Sequence, residues 1–514
     1  MLTAQPAPFL LDWPSILEAL QPILAGVGTP VYLVGGAVRD AYLRRRVHDL
    51  DFAIAGDGRR LAQIIADRLH GVYYPLDPER GVGRAIVDYR GERFTVDAAR
   101  FRGDSLADDL AARDFTMNAM AVPMNGDLQH LLDPLGGIAD LNQKRLRRCA
   151  PDSISADPVR ALRAVRQGIA LNLLIEPETR NDIRRDGPRL AASSPERVRD
   201  EFMTMLGGPR PQAALRALDA LGLLRLIVPE VEAMRGVVQS PPHIYDVWEH
   251  TLNVVERLDG TLFTISPART EENAADAAFG MLVYALDRYR RRLQDHLAAP
   301  LPNGRSVRAL LMLAALLHDS AKPATRTVDE QGRIHFYRHE LVGADMGRER
   351  ASALRLSNEE ALRLADAIRH HLRPMQLRNV LEVSRRSVYR FWKAAGDSGV
   401  DVCLLALADY LGMVGHTLVP QDWIHHLEGV GVLLDGYFNQ KETVVAPPPL
   451  ITGHDLMRVL SLSSGPEIGR LLGLIREAQA TGEIQTAEQA IALARAAYDA
   501  PPAPDADEPD ESSR

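Results

Sequence analysis

The chain has 514 residues, a length that favours three or four separately cored domains over one. Hydrophobic residues make up 46% and charged ones 25%, the balance of an ordinary globular protein, which excludes a disordered or membrane-embedded class. A net charge of −8 excludes a protein that coats nucleic acid over its whole surface, so any nucleic-acid contact must come from local patches such as Arg44 to Arg46, Lys144 to Arg148 and Arg288 to Arg292.

The first residues, MLTAQPAPFLLDWP, lack the basic region and cleavage site of a secretory signal, and no apolar run reaches bilayer length. A cytoplasmic protein with no membrane contact is expected. Cys149 and Cys403 show no paired spacing and read as small buried apolar residues.

Residues 31–125 alternate short β-rich runs (VYLVGG, DLDFAIAG, RAIVDY, RFTVDAA) with helical stretches such as GRRLAQIIADRLHG, the pattern of a small α/β domain. After about residue 150 the strands stop, and helical patterns punctuated by Pro177, Pro195 and Pro209 follow. A further helical block carries most of the histidines, with residues 258–306 reading as an insertion or long loop–helix excursion. Pro447 to Pro449 break the chain before a last helical segment, and the proline-rich acidic end has too few apolar residues to order. The expected fold class is multidomain α+β. Its parts are a head at 1–150, an all-α neck at 151–235, a histidine-rich helical domain at 236–425, C-terminal helices at 426–500 and a disordered acidic tail at 501–514.

The most informative stretch is VYLVGGAVRD followed by HDLDFAIAG. Gly35 and Gly36 end a strand and precede a helix, where backbone N–H groups can cradle phosphate oxygens. Arg39, one turn on, adds a planar charged fork for a triphosphate. Asp49 and Asp51 sit two apart on a strand, so both carboxylates face one side and can hold Mg²⁺ for an in-line phosphoryl displacement. Asp97, at the end of the run Phe94, Thr95, Val96, supplies a third carboxylate from a neighbouring strand.

With these features in this order, the chain resembles the class II tRNA nucleotidyltransferase and bacterial poly(A) polymerase family. That family's GGxVRD signature stands here as GGAVRD, and its metal-binding DxD as Asp49-Leu50-Asp51. The RRDFTxNA motif is matched by Ala112 to Ala119, and the resemblance implies that Arg113, Asp114 and Asn118 contact the ribose and phosphates of an incoming nucleotide. DPLGG at Asp133 to Gly137, with Asp140 after it, fits the motif that couples head to neck. The resemblance further implies a polymerase-β-like head and a base-reading motif at Ala156-Asp157-Pro158-Val159-Arg160, followed by Arg163. An acceptor and a bidentate donor at i and i+3 lie on one helical face and can select a base edge without a template, and Asp157 with Pro158 also makes a sound helix start. SPERVRDEF, with Glu196 and Arg197, matches a later neck motif. Two positions depart from the pattern: Ala156 replaces a usual acid, and the segment Gly103 to Ala112 is shorter than the flexible loop that the family associates with the switch from C to A addition. Addition of CC alone therefore stands beside full CCA addition.

The second constellation comprises YDVWEHTL, LLHDSAK, YRHELVGADMG, IRHHL and LADYL. His318-Asp319 follows the apolar run ALLMLAALL, which delivers an imidazole and a carboxylate to one buried spot. Mixed nitrogen and oxygen ligands suit Mn²⁺, Mg²⁺, Fe²⁺, Ni²⁺ or Zn²⁺, and such an ion activates water against a phosphate ester. The order H…HD…D resembles the HD phosphohydrolase superfamily, which implies His250, His318, Asp319 and Asp409 as ligands, with His339 and either His370 or His371 for a second ion and Lys322 near the phosphate. His454-Asp455 reads as a helix start capped by Thr452 or Asp455, and His48-Asp49 as an accident of the DxD motif.

The resulting expectation is template-independent addition of C, A or both to tRNA 3′ ends from CTP and ATP, with Mg²⁺ in the head and a second divalent ion in the helical domain, and no DNA partner. A poly(A) polymerase, an HD phosphohydrolase with an RNA-binding head, and a non-catalytic RNA-binding regulator are the alternatives.

Overall fold

The computed structural model describes residues 3–269, 276–301, 304–377 and 383–499, and the tail expected at 501–514 lies outside them. The chain forms two compact units, one of residues 1–205 and 213–227, the other of 206–212 and 228–514.

The first unit is built on a six-stranded sheet. In chain order its strands are β1 (Val31–Val34), β2 (Asp49–Ile54), β3 (Val72–Asp77), β4 (Val82–Tyr89), β5 (Glu92–Arg100) and β6 (Ala121–Pro123). The spatial order is β3-β4-β5-β2-β1-β6, with β2 and β5 parallel and every other neighbouring pair antiparallel. Strands β1, β2, β4 and β5 arise where alternating apolar runs were read. Edge strand β3 escaped that reading because it carries Pro75 at a register shift and is largely exposed, so it shows no in–out alternation. Short β6 is wholly apolar and buried but too brief to show a period.

Pairing register places chemistry in one row. Val34 lies opposite Asp51, Asp51 opposite Asp97, and Asp97 opposite Arg84, so the last residue of β1 and three charged side chains line up across the middle of the sheet. Directly paired residues share a sheet face. Beyond β1, helix Gly36–Tyr42 starts at Gly35. A buried cluster of Val34, Ala53, Leu106, Leu110, Ala119, Ala121 and Leu132 supports these strands from below the site.

Neck helices Val159–Leu171, Pro177–Asp186 and Pro195–Gly207 follow, the last two opening on a proline. The strands do not stop altogether at residue 150: Leu174–Ile175 adds a parallel two-residue pairing to Arg145–Leu146, and a hairpin joins Arg326–Val328 to Ile334–Phe336. Both are too short to carry a period-2 pattern.

In the second unit Val247–Ile265, Val307–Leu317 and Gly399–Val414 form a buried helical core. Residues 258–306 do not leave it as a loop. The first helix runs to Ile265, and Ala277–Leu286 and Arg290–Ala298 continue the helical packing, with Leu282, Leu286, Tyr289 and Leu293 buried. Among the described residues one helical run, Arg385–Thr417, is long and apolar enough to cross a bilayer, and its most apolar window is 94% buried in the protein. Helices Gly453–Leu460, Pro466–Thr481 and Ala487–Asp499 close a small core around Leu456, Leu471 and Ile475. The Thr452 side chain and Asp455 form a reciprocal capping box, so the histidine–aspartate pair at 454–455 marks a helix start.

Candidate active site and metal centre

The carboxylate row opens into a cavity of 1410 Å³ lined by Gly35, Asp49, Asp51, Asp97, Arg113, Asp157 and Arg160, among others. Gly35 has φ +76°, and a Cβ there would lie 3.1 Å from Arg113 Nη1 and 3.2 Å from Asp51 Oδ2. A glycine is needed both for the backbone angle and because Asp51 and Arg113 close on the turn. Asp49 is exposed and Asp51 half-buried. Removal from water pushes the Asp51 carboxyl up to about 6; Arg113 opposes the rise, and Asp97 and Asp49 add to it. Two carboxylates crowded in this way are a fitting seat for a divalent cation.

The other expected site residues reach the same cavity, several with their polar atoms engaged. Both Asp97 oxygens are held by Arg84, at 2.7 and 2.8 Å. Arg39 grips Asp40 with Nε and Nη2, each at 2.9 Å, and gives Nη1 to Asn118 Oδ1 at 2.7 Å. Buried Asp114 accepts from the Phe115 N–H, Asn118 Nδ2 and Arg163 Nη1. Arg39, Asp114 and Asn118 therefore form a bracket between the glycine turn and the neck helix. Arg113 donates Nε and Nη2 to Asp109 Oδ2 at 3.0 and 2.9 Å, and its Nη1 stays beside Gly35 and Asp51. Buried Asp140 joins Thr116 of the same motif to Arg145 and Arg147, and Arg148 pairs with Asp182, so the basic run at 144–148 is largely spent inside the protein.

On the neck helix Asp157 Oδ2 meets Arg197 Nη2 at 2.6 Å and Oδ1 accepts from the Val159 N–H at 3.3 Å. Arg197 thus braces Asp157 from the other side of the position where Ala156 offers no carboxylate. Arg160 donates to the Ala112 carbonyl at 2.8 Å, the Arg113 carbonyl at 3.1 Å and Ser153 Oγ at 2.9 Å, and its Nε stands 4.0 Å from Asp157. Glu201 holds Arg163 and Arg166 in place. Segment 103–112 is itself ordered: Ser105 caps helix Leu106–Ala111, and Asp109, only 2% exposed, takes the Arg102 N–H and the Arg113 guanidinium. Arg84, Asp109 and Glu201 escaped sequence reasoning. Alternation could have set Arg84 opposite Asp97, but nothing local marks Asp109 or Glu201 as partners of distant arginines.

In the second unit, His250, His318, Asp319, His339, His371 and Asp409 converge. His250 Nε2 lies 3.1 Å from Asp409 Oδ1 and 3.3 Å from Asp319 Oδ2; His318 Nε2 lies 3.2 Å from Asp319. Neighbouring donors on one ion about 2.1 Å away are about 3 Å apart, so these spacings match a ligand shell. On the other side of Asp319, His339 and His371 approach Oδ1 at 3.4 and 3.9 Å. His250, His318 and Asp319 form one group of mutually close donors, and Asp319, His339 and His371 a second. His371, not His370, joins the centre.

The imidazoles share one local device. The Nδ1 atoms of His318, His339 and His371 bond the carbonyls three residues earlier, of Ala315, Phe336 and Ile368, at 2.8, 2.7 and 2.6 Å. Each bond fixes the tautomer that leaves Nε2 a lone-pair donor, and all three Nε2 atoms are buried without a hydrogen-bond partner. Burial opposes positive charge at the His318 ring, yet Asp319 and Asp409 overcome it and raise its pKa, so the spot favours a cation, either a proton on Nε2 or a metal ion in its place. Lys322, 5% exposed, reaches Asp319 Oδ2 and Gln239 Oε1, both at 2.7 Å.

Four family models match parts of the chain. Residues 31–147 match the Poly A polymerase head domain, 172–235 a model described as "Probable RNA and SrmB-binding site of polymerase A", 288–413 the HD domain, and 436–494 a model for domain 2 of tRNA nucleotidyltransferases. The A-adding tRNA nucleotidyltransferase of Deinococcus radiodurans is 32% identical over 90% of this chain and 94% of its own length. The CC-adding tRNA nucleotidyltransferase of Thermus thermophilus is 32% identical over 90% and 92%. The Thermotoga maritima CCA-adding enzyme complexed with tRNA has a similar fold, with a TM-score of 0.56 at 19% identity, covering 97% of this chain and all of that one.

Proposed function

Because the chain belongs to the tRNA nucleotidyltransferase family, we propose that it extends tRNA 3′ ends without a template, taking CTP as its favoured nucleotide. Asp49 and Asp51 hold Mg²⁺, which when bound activates the RNA 3′-hydroxyl and stabilises the leaving pyrophosphate. Gly35 and Gly36 present backbone N–H groups to the phosphates, and Arg113 Nη1 supplies charge beside them. Asp97, clamped by Arg84, holds Asp51's side of the sheet negative. Asp157 and Arg160 read the base edge, while Arg163, Asp114, Asn118 and Arg39 hold the neck helix against the turn. In this scheme the head spans 1–150, the neck 151–235, the HD domain 236–425 and the last helices 426–500, in the cytoplasm where tRNA matures.

The observation that carries C selection is the tethering of segment 103–112. Arg160 is fastened to the Ala112 and Arg113 carbonyls, and Asp109 ties the same segment to Arg102 and Arg113. A base reader fastened to a short, hydrogen-bonded segment has one setting, which suits repeated addition of one nucleotide. The test offers CTP and ATP separately to tRNA transcripts ending at the discriminator base, at C and at CC. Two C residues and no A are expected. One A added to the CC end would replace this reading with A or CCA addition, and long A tracts with poly(A) synthesis.

A second reading is favoured by the buried, unpartnered Nε2 atoms: His250, His318, Asp319 and Asp409 would hold one divalent ion, and Asp319, His339 and His371 would hold a second. Such a centre hydrolyses phosphate esters, with Lys322 facing the phosphate. Metal analysis of the purified chain is expected to return two ions per HD domain, and hydrolysis of a 2′,3′-cyclic phosphate is expected to vanish in His318→Ala.

A further inference from the structure

Every arginine that lines the nucleotidyltransferase cavity forms an ion pair among the described residues, except Arg100 and Arg102. Arg100 stands beside the Gly81 turn, within the field of the Asp57 carboxylate. Arg102 lies in the fields of Asp109 and Asp114, but both carboxylates are paired with other arginines, Arg113 and Arg163. The Arg102 backbone N–H is fixed by Asp109 at 3.1 Å, and the side chain's single protein acceptor is the Ala112 carbonyl at 3.3 Å, which Arg160 Nη2 already takes at 2.8 Å. The adjoining Arg113 is bound to the same Asp109.

Three guanidiniums thus gather around one short segment. The carboxylates that act on Arg102 are Asp109, spent on Arg113, and Asp114, spent on Arg163. Partial withdrawal from water and repulsion from Arg113 and Arg160 outweigh the pull of Asp109 and Asp114 and draw the Arg102 guanidinium below its ordinary range, although the side chain keeps an exposed edge. Placing a cation beside two others whose carboxylates are already paired costs free energy, and among the described residues no acid forms an ion pair with Arg102 to cancel it. An anion entering the cavity removes that cost at once, and guanidinium prefers phosphate oxygens.

We propose that Arg102 is a phosphate-contacting residue of this site, its open Nε and Nη2 edge directed to a phosphate of the incoming nucleotide or of the RNA end. The proposal rests on the nucleotidyltransferase reading above. Arg160 and Arg113 are held by acceptors of their own, whereas Arg102 is the cation left for the ligand. Its backbone is anchored on Asp109 and its Nη1 rests on the Ala112 carbonyl at 3.3 Å, which leaves Nε and Nη2 to the ligand.

The test is equilibrium binding with the full chain, using CTP, inorganic triphosphate and a tRNA transcript lacking CCA, each with wild type, Arg102→Ala and Arg102→Lys. A charge-assisted contact predicts an affinity loss of about 10- to 100-fold in Arg102→Ala and a salt dependence of log Kd shallower by about one unit for an RNA phosphate. Arg102→Lys is expected to recover part of it. Joint loss for CTP and triphosphate assigns the contact to the nucleotide, and loss for tRNA alone assigns it to the RNA. Thermal stability without ligand is expected to hold or rise in Arg102→Ala, because repulsion is removed. Unchanged affinity for all three ligands overturns the proposal, as does a loss for CTP that triphosphate does not share, or a uniform loss accompanied by a lower melting temperature. A wild-type chain that binds these ligands but elongates no RNA end would sink the nucleotidyltransferase reading and leave the phosphate contact standing.

Discussion

Replacing Asp51 by Asn is expected to abolish nucleotide addition and at the same time to stabilise the metal-free head. Asp51 titrates near 6 in the fold, against 3.8 for an ordinary aspartate, because it is removed from water and crowded by Asp97 and Asp49 despite Arg113. A folded pKa above the unfolded one means that the folded state holds its proton more tightly, so stability falls as pH rises from about 4 through about 6. A shift of about two units corresponds to about 3 kcal/mol lost by pH 8. Asn keeps the shape and never ionises. Hydrogen exchange of the 49–54 strand amides, with chelator present and intrinsic rates corrected, is therefore expected to show Asp51→Asn more protected by about 3 kcal/mol at pH 8, falling to about 1 kcal/mol at pH 4.5. Mg²⁺ is expected to add protection to wild type and none to the variant. Asp49→Asn, at an exposed position, is expected to remove activity while changing stability by no more than about 0.5 kcal/mol. A loss of protection in Asp51→Asn at pH 8, or a gain equal at both pH values, refutes the reasoning.

Gly35→Ala combines a left-handed backbone with a Cβ 3.1 Å from Arg113 Nη1, a strain of about 1–2 kcal/mol, and is expected to lower kcat for C addition at least about tenfold with tRNA affinity unchanged in a filter-binding assay. Asp109→Ala leaves the Arg113 guanidinium without its carboxylate and is expected to cost about 3 kcal/mol on denaturant unfolding, to raise the KM for CTP, and to open segment 103–112 to protease. His371→Ala is expected to reduce the HD domain from two ions to one by plasma mass spectrometry, and His318→Ala to remove both; equal metal content in His371→Ala and wild type would dismiss the second ion.

The head was legible because its chemistry is local in sequence. Gly35, Gly36, Asp49 and Asp51 lie within one strand–helix–strand passage, and period-2 spacing already sets both acids on one face. What escaped was pairing over distance. That Arg84 closes on Asp97 depends on an antiparallel register between two strands, and that Glu201 braces Arg163 depends on how two neck helices cross. The edge strand at Val72–Asp77 was hidden by exposure, and within 258–306, read as an insertion or long loop–helix excursion, the packing of Ala277–Leu286 and Arg290–Ala298 into the helical unit depends on contacts far apart in sequence. The histidine centre shows the same division. His318-Asp319 announces itself behind an apolar helix, but the choice of His371 over His370 rests on which ring turns its Nδ1 to a carbonyl three residues back.

The two sites meet the burden of gathered charge in opposite ways. At the histidine centre the Nε2 atoms of His318, His339 and His371 are prepared by backbone bonds at Nδ1 and left without a hydrogen-bond partner, so an ion would complete the shell. In the nucleotidyltransferase cavity most side chains are already satisfied: Arg39 by Asp40 and Asn118, Asp97 by Arg84, Arg160 by two carbonyls. Groups committed in this way hold their positions without a ligand, and the remaining work falls to the few that are not: Asp49 and Asp51 facing a cation, Arg102 facing an anion. These residues of opposite sign line one cavity, so nucleotide with its magnesium should relieve both, and each ligand should bind more tightly in the other's presence. Equal Mg²⁺ affinity with and without CTP would show that the two charges are balanced separately.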